Sequence, residues 1–366
     1  MANVTYSKDM TIYGDLILAD KILEKGAVAI RDGIIVYAGP EADAPVIGQV
    51  RRTDKLIAPG YVDIHCHAGG ETPFHEDPQK VLDYHLSHGT TGILATFYRD
   101  LWFEKTLECT NKMKAFMGGS STLLGVHLEG PYLNPRYGTM LGIENAVDPA
   151  QYKALADTGI IRQWTYAPEV EGTAEFARYI ASRGIVPAIG HTEATPAQVY
   201  AAPGNGAKIV THLFDAMGNP PSLWYGTEET NTATSCLVCD GLYYEIICDR
   251  KGIHVRPDKI RLAIKTVGLD KIVGITDSFM GPEDGSDVNF IDGILSGSKL
   301  TMEQVARNFL ALGLTVPQVL QITAANPAAA IGMADVVGSL KPGCRGDLLL
   351  VDEKLELYEV IKAQCA

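Results

Sequence analysis

The chain divides into three stretches by the rhythm of its apolar and polar positions. Near the N-terminus, TIYGDLILAD and GAVAIRDGIIVYAG carry short runs of Ile, Val, Leu and Tyr, which read as strands. Asp32-Gly33 falls inside the second of these and predicts a type I′ hairpin, since that turn needs positive φ at both central residues. The C-terminal segment GSLKPGCRGDLLLVDEKLELYEVIKA has the same strand character. Chain termini often lie close together. Residues 1–57 and 334–366 are therefore expected to form one small β-sandwich domain from both ends of the chain.

The middle, residues 58–333, alternates. Apolar runs of strand length recur as YVDIH, GILATF, LLGVHLEG, IRQWTYAPE, VPAIGH, KIVTHLF, YYEIIC and KIVGITDS. Between many of them lie helix-like stretches such as PQKVLDYHLSHG, AEFARYIASRG, TPAQVYAAPGNG and RPDKIRLAIKTVG, each closed by a glycine suited to a helix C-terminus. Strand and helix in alternation predict an α/β fold, a (β/α)8 TIM-like barrel. The helical spacers between the fifth and seventh runs are the least distinct.

Composition narrows the classes. A formal net charge of −13 argues against nucleic acid as a partner. The apolar runs are too short to span a membrane, and MANVTYSKDM lacks the features of a signal peptide. The 7 cysteines are scattered, an odd and sparse set that fits a reducing cytoplasm better than a disulfide scaffold. Cys236 and Cys239 form a lone C-x-x-C, expected to be packed thiols because no second ligand pair has that spacing.

Barrel enzymes carry their chemistry at the C-terminal ends of the strands. Here those ends hold His65 and His67, His127 and Glu129, Glu169, His191, His212, Cys248 and Asp249, and Asp277. His65 and His67 are two residues apart, so both side chains share a strand face. Each histidine alone is more simply a hydrogen-bonded structural residue. Taken jointly, His65, His67, Glu129, His191, His212 and Asp277 form a donor set for zinc, iron, cobalt or manganese. A bound divalent metal lowers the pKa of a water to about 7 and polarises a carbonyl. The resulting hydroxide can attack an acyl carbon, and Asp277 is placed to pass the proton to a leaving amine as general acid/base. The competing structural role for Asp277 is a helix N-cap.

These residues lie in motifs that resemble the amidohydrolase superfamily, and more closely its N-acetylglucosamine-6-phosphate deacetylases. The motifs are PGYVDIHCHAGG, GVHLEGPYLNP, IGHTEAT, THLFDAM, KGIHV, GITDS, LSGSKLTM, TAANPAAAIG and GSLKPGCRGDLLLVD, spread over nearly the whole chain. The resemblance implies a metal-dependent barrel that removes an N-acetyl group from an amino sugar, and a homodimer. It implies that Glu129, His191 and His212 hold one ion and that His65 and His67, with Glu129 bridging, hold a second; relatives lacking the His-x-His pair use one. It makes Asp277 the acid/base, His254 a substrate-binding residue, and Asp215 and Ala216 neighbours of the sugar.

Three positions depart from the family pattern. Met140 stands where the family has a histidine that contacts the substrate carbonyl, and a thioether cannot donate a hydrogen bond there. Asp215 replaces an amide near the phosphate. The following GNPPSLWYGTEETN has no Arg or Lys where the family has a phosphate-binding Arg, although Arg250 and Lys251 could substitute. Added carboxylate and lost guanidinium both disfavour a dianion. Two hydrolase readings follow, the phosphorylated amino sugar and a neutral or cationic N-acyl compound. A cyclic-amide hydrolase and a catalytically silent binding protein are the further alternatives.

Overall fold

The computed structural model describes residues 2–98, 101–117, 122–138, 146–282 and 284–364. All the apolar runs of the middle stretch become parallel strands of one sheet. In chain order they are β1 (Tyr61–Cys66), β2 (Thr90–Tyr98), β3 (Leu123–Glu129), β4 (Ile161–Tyr166), β5 (Val186–Ile189), β6 (Ile209–Val210), β7 (Tyr243–Ile247) and β8 (Ile272–Ile275). Each pairs with the next in parallel register. The sheet nearly closes where Asp277 N–H donates to the His65 carbonyl at 2.9 Å and Cys66 bridges Ser278. The fold is a (β/α)8 barrel.

The crossovers are α1 (Pro78–Ser87), α2 (Phe103–Met117), α3 (Pro149–Ala156), α4 (Thr173–Ser182), α5 (Pro196–Ala201), α6 (Thr232–Val238) and α7 (Pro257–Val267). Their ends follow local chemistry. Asp77 accepts from Lys80 N ahead of Pro78 in α1, and Thr195 with Gln198 makes a capping box at α5. Gly89 (φ 86°) and Gly184 (φ 77°) follow α1 and α4 in the left-handed region, as the sequence predicts. The less distinct spacers are the short ones: α5 has 6 residues before a 3-10 turn, and α6 has 7.

Strand alternation sorts the side chains. In α4, Phe176, Ala177 and Ile180 are buried, and the Phe176 ring meets Trp164 of β4 at 5.0 Å between centroids. Burying such side chains contributes about 1.5–3 kcal/mol each. The opposite face of the strands is polar for a barrel core. Asp63, His65, His127, Gln163, Thr165, Thr211, Glu245 and Thr276 are all fully buried.

The two ends of the chain pair with each other. Asn3–Ser7 pairs with Leu357–Ala363, and Leu56–Pro59 with Leu348–Val351. With Met10–Ile17, Ile22–Arg31, Ile34–Pro40 and Gln49–Arg52 they make one mixed sheet of 8 strands. Asp32 (φ 51°) and Gly33 (φ 77°) form the expected hairpin turn. The sheet has its own apolar core, including Ile12, Val28, Ile30, Ile57, Leu348 and Ile361. It is tied to the barrel by buried Lys362, whose Nζ donates to Asp347 Oδ2 at 2.8 Å and to the Thr91 carbonyl at 3.0 Å. Among the described residues, no helix is long and apolar enough to cross a membrane.

Candidate metal centre and active site

Glu129, the last residue of β3, stands where four imidazoles converge. Its Oε1 lies 2.8 Å from Nε2 of His191, 3.0 Å from Nε2 of His212 and 3.4 Å from Nε2 of His65; its Oε2 lies 3.2 Å from Nε2 of His67. Asp277, just past β8, puts Oδ1 3.2 Å from Nε2 of His67 and 3.3 Å from Nε2 of His65. All six side chains are buried at the C-terminal mouth of the barrel. The structure thus brings together every residue that strand-end reasoning selected for the metal and for proton transfer.

Backbone geometry aims them. His191 (φ 47°), His212 (φ 28°) and Asp277 (φ 47°) are in the left-handed region, and so are Phe214 and Ala216 beside them. Such non-glycine conformations cost about 1–3 kcal/mol each and survive where neighbours hold them. The holding contacts are visible. Asn134 N–H donates to the His191 carbonyl at 2.9 Å, and its amide donates to Glu169, which also accepts from Thr192 Oγ1 and Glu193 N–H. Glu169 therefore braces the His191 turn. Asp277 accepts from Ser298 N–H at 2.7 Å through its carbonyl, and the next element is the strand Val288–Ile291, so it is not an N-cap.

The charges are matched. Burial alone would favour a neutral His65, but Glu129 and Asp277 outweigh it and hold its pKa well above the usual value. Burial likewise pulls His212 down, and its hydrogen bond to Glu129 raises it to about 9. Burial would raise Glu129, yet His65 and His191 hold it well below the carboxylate range. Asp277 is lowered in the same way, with His65 as the main opposing charge. His127, under His65 with ring centroids 4.5 Å apart, is kept neutral by burial and by the charge of His65. It hydrogen-bonds Thr96 and Thr165 and has no place among the ligands.

The donor set fits a divalent cation. The ligand atoms of His65, His67 and Glu129 lie within 4.8 Å of one another, as do those of Glu129, His191 and His212. The buried Nε2 of His65 has no hydrogen-bond partner, and Nε2 of His191 faces Nε2 of His212 at 3.0 Å. Two imidazole nitrogens held this close to each other and to Glu129 suit a shared cation. Among the described residues, Cys236 and Cys239 join no such group.

Asp215 and Ala216 line the same cavity, together with Tyr98, Phe279 and Gly297. His254 stands behind the lining residue Gly297: its Nε2 lies 3.1 Å from the Gly297 carbonyl, and its Nδ1 lies 3.2 Å from Asp249 Oδ2. Arg250 is also outside, held through its backbone by Asp287 and through its guanidinium by the Gly285 carbonyl. Met140 lies outside the described residues. Motif reading passed over Glu245, whose Oε2 meets Nδ1 of His65 at 3.1 Å, and Asp63, which accepts from Thr276 Oγ1 at 2.6 Å. The available signal was a carboxylate interrupting an otherwise apolar strand.

A (β/α)8 barrel with imidazoles and carboxylates gathered at this mouth defines a class of metal-dependent hydrolases. The chain belongs to the amidohydrolase family, whose model matches residues 56–365. Hydrolysis of amide bonds is its reaction class. It is 28% identical to an N-acetylglucosamine-6-phosphate deacetylase of Bacillus subtilis (strain 168), over 99% of this chain and 96% of the relative. It is 26% identical to an N-acetylgalactosamine-6-phosphate deacetylase of Escherichia coli O157:H7, over 94% and 95%. A mutant N-acetyl-D-glucosamine-6-phosphate deacetylase from Mycobacterium smegmatis, solved with N-acetyl-D-glucosamine-6-phosphate, superposes with a TM-score of 0.83 at 26% identity, covering 98% of this chain and 99% of that one.

Proposed function

We propose that this chain deacetylates an N-acetylated amino-sugar phosphate, releasing acetate and the primary amine. The observation that carries the reading is the convergence of four imidazoles on Glu129 with Asp277 alongside two of them. Glu129, His191 and His212 would hold one divalent ion, and His65, His67 and Glu129 a second; zinc suits this donor set best. When bound, the metal supplies Lewis-acid polarisation of the acyl carbonyl and an acidified water. Asp277, ionised by its imidazole neighbours, accepts the proton from the attacking water on its carboxylate. The carbon–oxygen bond forms, the carbon–nitrogen bond breaks, and Asp277 delivers the proton to the departing nitrogen. Tyr98 and Phe279 wall the cavity.

The barrel, residues 58–333, carries the chemistry. The terminal unit, 1–57 with 334–366, is a scaffold anchored at the start of β2, away from the mouth. A homodimer is supported by Leu223, Trp224 and Tyr225, three adjacent side chains exposed by 77%, 74% and 108% in the loop after β6; light scattering tests it.

One observation favours a second substrate reading. Asp215 lines the cavity and adds a carboxylate beyond Glu129 and Asp277, whose charges already face the imidazoles of His67, His191 and His212, and that added charge suits an N-acyl compound without phosphate. Turnover of N-acetylglucosamine 6-phosphate, N-acetylgalactosamine 6-phosphate and unphosphorylated N-acetylglucosamine, with and without chelator, tests both. Chelator-sensitive deacetylation of a 6-phosphate establishes the first reading. Turnover of the unphosphorylated compound alone replaces it with the second, and no deacetylation of any of them overturns both.

A further inference from the structure

Beneath the cluster, in the barrel interior, Glu245 sits in the middle of β7 and is fully buried. Three N–H groups can reach its carboxylate. Gln163 Nε2 of β4 donates to Oε1 at 2.6 Å, His212 N donates to Oε2 at 3.4 Å, and Nδ1 of His65 lies 3.1 Å from Oε2. Nδ1 of His65 is held by Glu245, so with a cation bound Nδ1 would carry the single proton of the ring and Nε2 would be the nitrogen presented to the ion, between Glu129 and Asp277. That atom is buried and has no hydrogen-bond partner. A cation there would give Nε2 the partner that it lacks.

Among the described residues, His191 and His212 have no such carboxylate at Nδ1. Nδ1 of His212 faces the neutral Asp215 carbonyl at 3.2 Å, and Nδ1 of His191 has no hydrogen-bond partner among the described residues. We propose that Glu245, oriented by Gln163, is the positioning residue that sets the His65 tautomer and thereby makes the ion site of His65, His67 and Glu129 distinct from that of Glu129, His191 and His212. The inference rests on the metal-dependent reading above. It adds that the two ion sites can be addressed separately, from a position that touches neither substrate nor metal.

The test compares metal-free wild type, Glu245→Leu, Glu245→Gln and the double variant Gln163→Leu/Glu245→Leu, each titrated with cobalt(II). Equivalents bound are read by equilibrium dialysis, and the visible spectrum is recorded for each equivalent. Glu245→Leu should weaken one equivalent by about 10–100-fold, the range for losing a partner behind a ligand, and leave the other unchanged. Glu245→Gln keeps an oxygen that can accept from Nδ1–H and should rescue most of that affinity. The double variant leaves no stranded amide and should show the same selective loss, so misfolding of the single variant does not decide the outcome. Two equivalents with wild-type affinity and spectrum in both leucine variants would overturn the proposal, as would equal weakening of both sites. Wild-type turnover is measured separately: active wild type with unaffected variants sinks only this inference, whereas wild type that takes up no cobalt and shows no turnover sinks both.

Discussion

Replacing Asp277 with Asn keeps the size of the side chain and removes its charge and its ability to carry a proton. The backbone at this position is tied to His65 and Ser298, contacts that a side-chain change leaves in place. The fold should therefore survive. A positioned acid/base contributes about 10²–10⁴ in rate. That corresponds to roughly 3–5 kcal/mol on the barrier at about 1.4 kcal/mol per tenfold. The loss should appear in kcat and in kcat/KM together, as expected for an interaction made in the transition state. A second effect has the opposite sign. Oδ1 stands 3.2 Å from His67 Nε2. At that separation a unit charge pair is worth about 5 kcal/mol at an effective dielectric of about 20. Burial already pulls His67 down, and Asp277 and Glu129 hold it up. With Asn, the rings release their protons more easily and a cation meets less competition. Metal uptake should then extend to lower pH while turnover falls. Steady-state kinetics paired with metal content, measured from about pH 5 to about pH 8, reads both effects. A variant within about tenfold of wild-type kcat, at equal metal content, would refute proton transfer by Asp277.

The remaining predictions concern the metal, the substrate cavity and the scaffold. Chelation should abolish turnover and lower the melting temperature; restoring the ion at about 100 times its Kd should return about 2.7 kcal/mol of stability. In the metal-free protein His212 keeps its proton up to about 9, so ion uptake should release protons and tighten as pH rises toward that value, followed by calorimetry in buffers of different ionisation enthalpy. Asp215→Asn removes a negative charge from the cavity lining and should lower KM for a 6-phosphate substrate with little change in kcat; an unchanged KM would show that the phosphate does not approach this position. Asp347→Ala strands the buried Lys362 ammonium and should cost about 3–5 kcal/mol in urea unfolding while leaving kcat intact; a loss below about 1 kcal/mol would mean that the lysine finds another partner.

Much of this molecule is legible one residue at a time. Asp32-Gly33 specifies its turn because only a few residues tolerate positive φ at two successive positions. The apolar runs specify strands because alternate side chains face opposite ways, and the glycines after α1 and α4 stop helices by entering the left-handed region. The same two-residue period put His65 with His67 and led to Glu129, His191, His212 and Asp277 as a donor set. These are local properties of dihedral angle and residue type.

What the sequence by itself determined was therefore the elements and the chemical inventory of the site. Which atoms meet was decided by barrel closure. Glu245 is 180 residues from His65, and Gln163 is 82 from Glu245, yet the three form one buried hydrogen-bonded chain. No local period relates them. They become neighbours only when β1, β4 and β7 curve round a shared interior, where a carboxylate without water must take the donors that the opposite strands provide. The direction in which Nε2 of His65 points is thus a property of the closed barrel, because it depends on what fills the space behind the ring.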